Sequence, residues 1–295
     1  MLIMKNIGDD KNMKTVVVDL GNYNVKYLAD RKGIFSSKYS TKFNANSDMF
    51  ERIEIDGQLT FIGIGEYERE FNKVEKNYLP SLLYAIDKAT NESDINLCLL
   101  LPIAQMSNKD KLINELKGNT FIFDINGNNR RIDINKVAVL AEGFVSYYSL
   151  EDKIEDILII DIGSRTVNYS SFLDGKLEKS FTERIGVFDL YSTIKDIENS
   201  RGGDYLEEDI ERLIKNNKIV VDSKIYLGFL KDILNRTKSK VNIKSYTKVL
   251  FVGGGSVVLK DYIEANTPAS VVDDAIFTNV IGAHKLCEMV WAGGK

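Results

Sequence analysis

The chain has 295 residues, 44% hydrophobic and 28% charged, which is enough for two domains, each with its own core. With 39 Lys and Arg against 43 Asp and Glu its net charge is −4, the wrong balance for a protein that grips DNA directly. Two distant cysteines and one histidine argue against a disulfide framework and a zinc site and fit a cytoplasmic setting. No apolar run approaches the ~20 residues of a membrane helix.

Residues 1–13 carry Asp9, Asp10 and Lys11 and lack a small-residue cleavage site, so they read as a flexible N-terminal extension and not as a signal peptide. From Lys14 the pattern is strand and polar turn. Val16-Val17-Val18-Asp19-Leu20-Gly21-Asn22-Tyr23-Asn24-Val25-Lys26 is a buried strand, a tight turn and a returning strand. Strands follow over 33–39 and 53–61, with Asp56-Gly57 as a hairpin turn. Leu82, Leu83 and Ile86 share one face of a helix predicted over 79–89. The apolar run 95–101 is a buried strand stopped by Pro102, and 109–116 is a short helix. Two strands flank the loop Asn126-Gly127-Asn128-Asn129. The second ends at Leu140, where Ala141-Glu142-Gly143 runs into another helix.

The second half opens on the same plan. Leu158-Ile159-Ile160-Asp161-Ile162-Gly163-Ser164-Arg165-Thr166-Val167-Asn168 sets Asp161 on Asp19, Gly163 on Gly21 and Val167 on Val25. A third strand follows Asp174-Gly175, with helices predicted over 186–197, 206–214 and 224–234. The strand 248–252 ends in Gly253-Gly254-Gly255-Ser256, with Ser256 as a helix N-cap, and the last helix covers 279–289. Three prolines and no low-complexity stretch leave no obvious flexible linker.

A strand-turn-strand of this kind suits phosphate. Its turn backbone can converge N–H groups on an anion, glycine permits close approach, and Asp at the strand end can hold a Mg²⁺ ion or its waters. A single Asp-x-Gly is ordinary turn chemistry. Two copies, each opening one half of the chain, point instead to a nucleotide held between two related domains.

These paired hairpins and the later glycine-rich strand end resemble the actin, sugar kinase and Hsp70 ATPase superfamily. Asp19-Leu20-Gly21-Asn22-Tyr23-Asn24-Val25-Lys26 and the compact length most resemble the bacterial plasmid-segregation actins, the ParM (StbA) family. The resemblance runs from about Lys14 to the end of the chain. It implies an α/β, actin-like fold of two related RNase H-like domains flanking a nucleotide cleft. The first domain would span 14–152, the second 153–274, and a C-terminal helix over 275–295 would return to the first.

The same resemblance implies site residues. Asp19 and Asp161 would hold Mg²⁺, and Glu142 and Asp161 would be catalytic, Glu142 by orienting the hydrolytic water. A carboxylate at a strand-to-helix junction is equally explained as a helix-end charge. Gly21, Asn22, Asn24 and Lys26 of the first turn, with Gly163, Ser164, Arg165 and Thr166 of the second, would hold phosphate. Lys26 also reads as a solvent-facing strand lysine, and Arg165 stands where many relatives have a small residue. Gly253, Gly254, Gly255 and Ser256 would lie against the nucleotide. Glu208 and Arg212 would reach ribose and base, or simply form an exposed i,i+4 ion pair. Asn279 marks a second interdomain connection or a helix N-cap. The lysines and arginine at 231, 236, 238, 240, 244 and 248 read as a solvated face, and His284 as an ordinary helical residue.

The functional expectation is an ATPase, using ATP or GTP with Mg²⁺, that polymerises with itself into dynamic filaments. A DNA-binding adaptor of a plasmid partition complex is the implied partner, with no direct DNA or membrane contact. The alternatives are a monomeric small-molecule kinase of the same fold and a cell-shape actin.

Overall fold

The computed structural model describes residues 13–43, 49–67, 70–151 and 156–292. Of the expected extension over 1–13, residues 1–12 lie outside the described residues. In the first half, β1 (Lys14–Leu20), β2 (Asn24–Leu28), β3 (Lys32–Ser36), β4 (Tyr39–Ser40), β5 (Arg52–Ile55) and β6 (Gln58–Ile62) precede α1 (Leu79–Ala89). Then come β7 (Asp94–Leu101), α2 (Lys109–Leu116), β8 (Thr120–Ile125) and β9 (Asn128–Ala141). These strands form one sheet in the order β3-β2-β1-β7-β9-β8-β5-β6-β4. The second half has β10 (Ile157–Ile162), β11 (Val167–Leu173), β12 (Lys176–Glu183), α3 (Val187–Ser200), α4 (Ile210–Lys215) and α5 (Ser223–Lys238). It ends with β13 (Lys248–Val252), α6 (Gly254–Val258), α7 (Lys260–Asn266), β14 (Ser270–Val271) and α8 (Thr278–Ala292), and its sheet runs β12-β11-β10-β13-β14.

The repeat seen in sequence extends to topology. In each half the Asp-bearing strand pairs antiparallel with its returning partner and parallel with a strand from much further along the chain. Register places Lys26 opposite Asp19 and Asn168 opposite Asp161, so the two aspartates occupy matching positions. β7 and β10 are each flanked by a strand on both sides, and their apolar runs are buried from end to end beyond Asp94.

The hairpin between β8 and β9 turns on Asn126-Gly127 alone, so the four-residue loop expected there is shorter. Both residues have positive φ, 54° and 87°, the left-handed pair that a two-residue hairpin needs. The freed Asn128 and Asn129 join β9, making it fourteen residues long. The helix expected after Glu142 is a short 3₁₀ turn over Val145–Ser149, because α8 packs directly onto it.

Each half has its own apolar core. A third cluster joins Val17, Cys98 and Leu100 of the first sheet to Val280, Ala283 and Cys287, so α8 packs on the first half although it follows the second in sequence. Two backbone segments therefore cross between the halves, one around Glu142–Phe144 and one leading into α8. The space between them is the site. Among the described residues no helix is long and apolar enough to cross a membrane.

Candidate functional site

A cleft of about 410 Å³ opens between the two sheets, lined by both turns, Gly253–Gly255, Asp19, Glu142 and Asp161. Gly21 is obligatory in the first turn, because a Cβ there would lie 2.4 Å from the Asn24 carbonyl oxygen. Gly253 has φ +85°, and its Cβ would lie 2.3 Å from Asp161 Oδ1, so two reasons require glycine at the end of β13.

Three buried carboxylates converge here. Asp19 receives Lys26 Nζ at 2.9 Å and Lys73 Nζ at 2.8 Å. Burial alone would raise its pKa, but the two ammoniums overcome that and hold the carboxyl well below the usual range. Lys73 also reaches Glu142 Oε1 at 2.5 Å, while Asn168 Nδ2 donates to Glu142 Oε2 at 3.1 Å. Burial would depress the Lys73 ammonium's pKa, yet Asp19 and Glu142 raise it above its ordinary value. Asp161 has no cationic contact of this kind among the described residues. It accepts from Asn279 Nδ2 at 2.9 Å, and burial followed by the Glu142 charge pushes its pKa up to about 6.

Asn279 serves both crossings. Its Oδ1 accepts from Gly143 N at 2.9 Å and Ser146 Oγ at 2.7 Å, while its Nδ2 holds Asp161. It lies inside α8, which starts at Thr278, so it is an interdomain bridge and not the N-cap.

Of the residues singled out from sequence, Gly21, Asn22, Asn24, Lys26, Gly163, Ser164, Arg165, Thr166 and the three glycines line this cleft. Asn22 is engaged by the protein itself, donating to the Glu70 carbonyl and accepting from Lys76 Nζ. The Arg165 guanidinium stacks over Phe188 at 5.0 Å, which keeps it on the cleft wall.

Three residues lie off that wall. Ser256 is fully buried inside α6 and donates to the Val252 carbonyl, because the helix begins at Gly254 and Gly253 takes the cap position. Glu208 pairs with Lys38 and Arg212 with Asp209, while Glu211 and Lys215 line the cleft instead. The helix expected over 206–214 starts as a 3₁₀ turn at Glu207–Asp209, and its tighter winding changes which residues face inward. His284 is half-buried on α8, away from the cleft. Arg236 and Lys240 of the basic cluster are partly neutralised by Asp232 and Glu183.

Sequence reasoning passed over Lys73, Lys76, Tyr23 and Phe188. The two lysines sit in a polar, aperiodic stretch, where only the folded path of Glu70–Lys76 reveals them. Tyr23 is stacked on Tyr67 with ring centroids 4.9 Å apart, meets Phe188 edge-on at 5.6 Å and donates to Glu211.

Two duplicated α/β halves, a cleft between them and a C-terminal helix packed on the first half define the actin-like fold. Residues 17–144 match the family described as actin like proteins N terminal domain, and the fold of the chain is actin-like. Solved structures agree in fold. A 15-stranded ParM filament from Clostridium botulinum superposes with TM-score 0.77 at 19% identity, over 94% of this chain and 99% of that one. The archaeal actin homolog Ta0583, in complex with ADP, gives 0.78 at 18% identity over 94% and 99%. AlfA from the B. subtilis plasmid pLS32, in a filament, gives 0.66 at 19% over 92% and 97%. Comparison with curated protein sequences gives no match.

Proposed function

We propose that this chain binds ATP or GTP with Mg²⁺ in the cleft, hydrolyses it, and assembles with itself into nucleotide-dependent filaments. The observation that carries this reading is the convergence of Asp19, Glu142 and Asp161 on one cleft walled by two Asp-x-Gly turns and Gly253–Gly255. Similarity to ParM and AlfA filaments supports self-association, and the ADP complex of Ta0583 supports nucleotide binding.

The donor set fits Mg²⁺. It is all hard oxygen, and burial beside Glu142 makes the Asp161 charge costly in a way that a cation would relieve. No group of three His, Cys, Asp or Glu forms a metal cage among the described residues. One or two carboxylates are what Mg²⁺ takes when phosphate and water complete its shell. Asp19 and Asp161 would hold it, and the ion would supply charge neutralisation at the phosphates.

Lys26 adds a point charge beside the first turn, and the turn backbones orient the phosphates. Glu142, fixed between Lys73 and Asn168, positions water for in-line attack, since phosphoryl transfer asks mainly for positioning and electrostatic stabilisation. Closure of the halves on nucleotide would favour a head-to-tail contact, which generates filaments and not rings. Hydrolysis would then weaken that contact. Plasmid DNA segregation through a DNA-binding adaptor is the proposed role, in line with a net charge of −4.

The test is phosphate release measured beside pelleting, with and without ATP–Mg²⁺. Light scattering should rise on nucleotide addition and fall as the nucleotide is consumed. A chain that stays monomeric under every nucleotide and salt condition overturns the filament reading and favours a small-molecule kinase.

A further inference from the structure

Lys73 is the most enclosed cation of the cleft, and the proposed chemistry so far gives it only a place beside Glu142. It is delivered by Glu70–Lys76, which lies across the first turn. Lys73 sits in a 3₁₀ turn over Lys73–Glu75, capped by the Asn72 side chain. Gln105 fixes the backbone on both sides, accepting from Lys73 N at 2.9 Å and donating to the Phe71 carbonyl at 2.9 Å. Lys76, three residues on, reaches the Leu20 carbonyl and the Asn22 side chain. The segment is thus pinned to the turn at two places and braced from behind.

From this anchored position the Lys73 ammonium joins Asp19, which ends the first Asp-x-Gly strand, to Glu142, which begins the crossing to the second half. The other Glu142 oxygen is held by Asn168, whose own Oδ1 accepts from Thr182 Oγ1 at 2.7 Å. Glu142 is therefore gripped by a cation from the first half and an amide from the second. A carboxylate on two fixed donors has one orientation, and a water-positioning group needs that.

We infer that Lys73 is a positioning residue for hydrolysis, setting the Glu142 carboxylate against the nucleotide and fixing Asp19 relative to it. This rests on the hydrolytic reading above. An inert buried ion pair would contribute to folding alone; Lys73 lines the cleft and touches two of its three buried carboxylates.

The experiment uses the full chain with ATP–Mg²⁺, comparing Lys73→Met, Lys73→Arg, Glu142→Gln and the Lys73→Met/Glu142→Gln double variant. Phosphate release gives kcat and KM, and binding of a fluorescent ADP reports the site without chemistry. Lys73→Met should lower kcat about 10–100-fold, as loss of an orienting partner commonly does, with much smaller changes in KM and ADP affinity. Lys73→Arg should recover part of the loss. In the Glu142→Gln background, Lys73→Met should cost little more, because residues acting through one another are not additive. An unchanged kcat in Lys73→Met, or a full multiplicative loss in the double variant, overturns the inference. Should Lys73→Met fail to fold, Lys73→Arg decides it, since a longer, planar cation with unaltered kcat leaves no positioning role. A wild-type chain that releases no phosphate sinks the hydrolytic reading itself and this inference with it. An active wild type with an indifferent Lys73 sinks only the latter.

Discussion

Lys38 Nζ lies 2.6 Å from Glu208 Oε2, an ion pair that ties the first half to the second at the edge of the cleft. The same ammonium sits 4.6 Å from the centroid of the Tyr67 ring, which stacks on Tyr23. Lys32 and Asp274 make a second such link, and Tyr23 with Glu211 a third. These contacts bridge separate halves, so their energies bear on opening of the cleft more than on either core.

Breaking one of them should therefore speed nucleotide exchange. Partly exposed pairs contribute about 0.2–1 kcal/mol, so Lys38→Glu is expected to raise the nucleotide off-rate only a few-fold. Glu208→Lys should do the same, and the charge-swapped double variant should return toward wild type. Stopped-flow release of a labelled nucleotide reads this. Equal off-rates in all four proteins would mean that the pair does not hold the cleft.

The environment of Asp161 gives a stability prediction with a definite sign. Its pKa is raised from 3.8 to about 6 on folding. A raised carboxyl pKa favours the folded state below about pH 4, and that contribution is lost as pH rises through 6. At pH 7.5 the buried charge then costs up to about 3 kcal/mol. Asp161→Asn should accordingly melt higher than wild type at pH 7.5, with the gap narrowing toward pH 4. A gap constant across that range would show that the carboxyl is not destabilised by burial.

The parts of this fold that sequence revealed were those with local signatures. Alternation and apolar runs located β1, β2, β7, β10, β11 and β13, and the matching of Asp19 with Asp161 exposed the duplication. Pairs such as Asp174-Gly175 marked turns because positive φ selects them. Lys73 has no such signature. It lies 54 residues from Asp19 and 69 from Glu142, and only the path of Glu70–Lys76 over the first turn brings the three together. Glu208 and Arg212 stand off the cleft wall, and the single 3₁₀ turn that precedes α4 is invisible in the spacing of apolar residues.

Gly282 allows two effects to be weighed. In a helix interior, alanine is favoured over glycine by about 1 kcal/mol. A Cβ at Gly282 would lie 1.8 Å from the Val145 carbonyl oxygen and 2.7 Å from its carbon, both backbone atoms of the 3₁₀ turn. Overpacking of this kind costs about 1–3 kcal/mol, and more where backbone must move. The overlap should win, so Gly282→Ala should unfold at lower denaturant than wild type. A variant more stable than wild type would mean that α8 is not packed so closely on Val145–Ser149.

Asn279 is the last test, because its amide makes a donor and an acceptor do different work. The NH₂ group serves Asp161, and the oxygen serves Gly143 N and Ser146 Oγ. Asn279→Ala removes both functions and leaves buried polar groups unsatisfied, at about 1–3 kcal/mol for each group stranded. Asn279→Asp is more selective. It keeps the acceptor for Gly143 and Ser146 but sets a second carboxylate against Asp161, where the donor stood. That repulsion should be strongest at neutral pH and should ease in acid, as the pair takes up a proton. Placing Asp161→Asn in the same chain restores one donor and one carboxylate, with their places exchanged. Stability at pH 7.5 should then recover most of the loss, while hydrolysis should not, because Asp161 is proposed to face Mg²⁺ and Asn279 to stand behind it. Denaturant unfolding beside phosphate release measures both. If Asn279→Asp were as stable as wild type at neutral pH, the 2.9 Å bond between Asn279 and Asp161 would not be what joins α8 to the second turn.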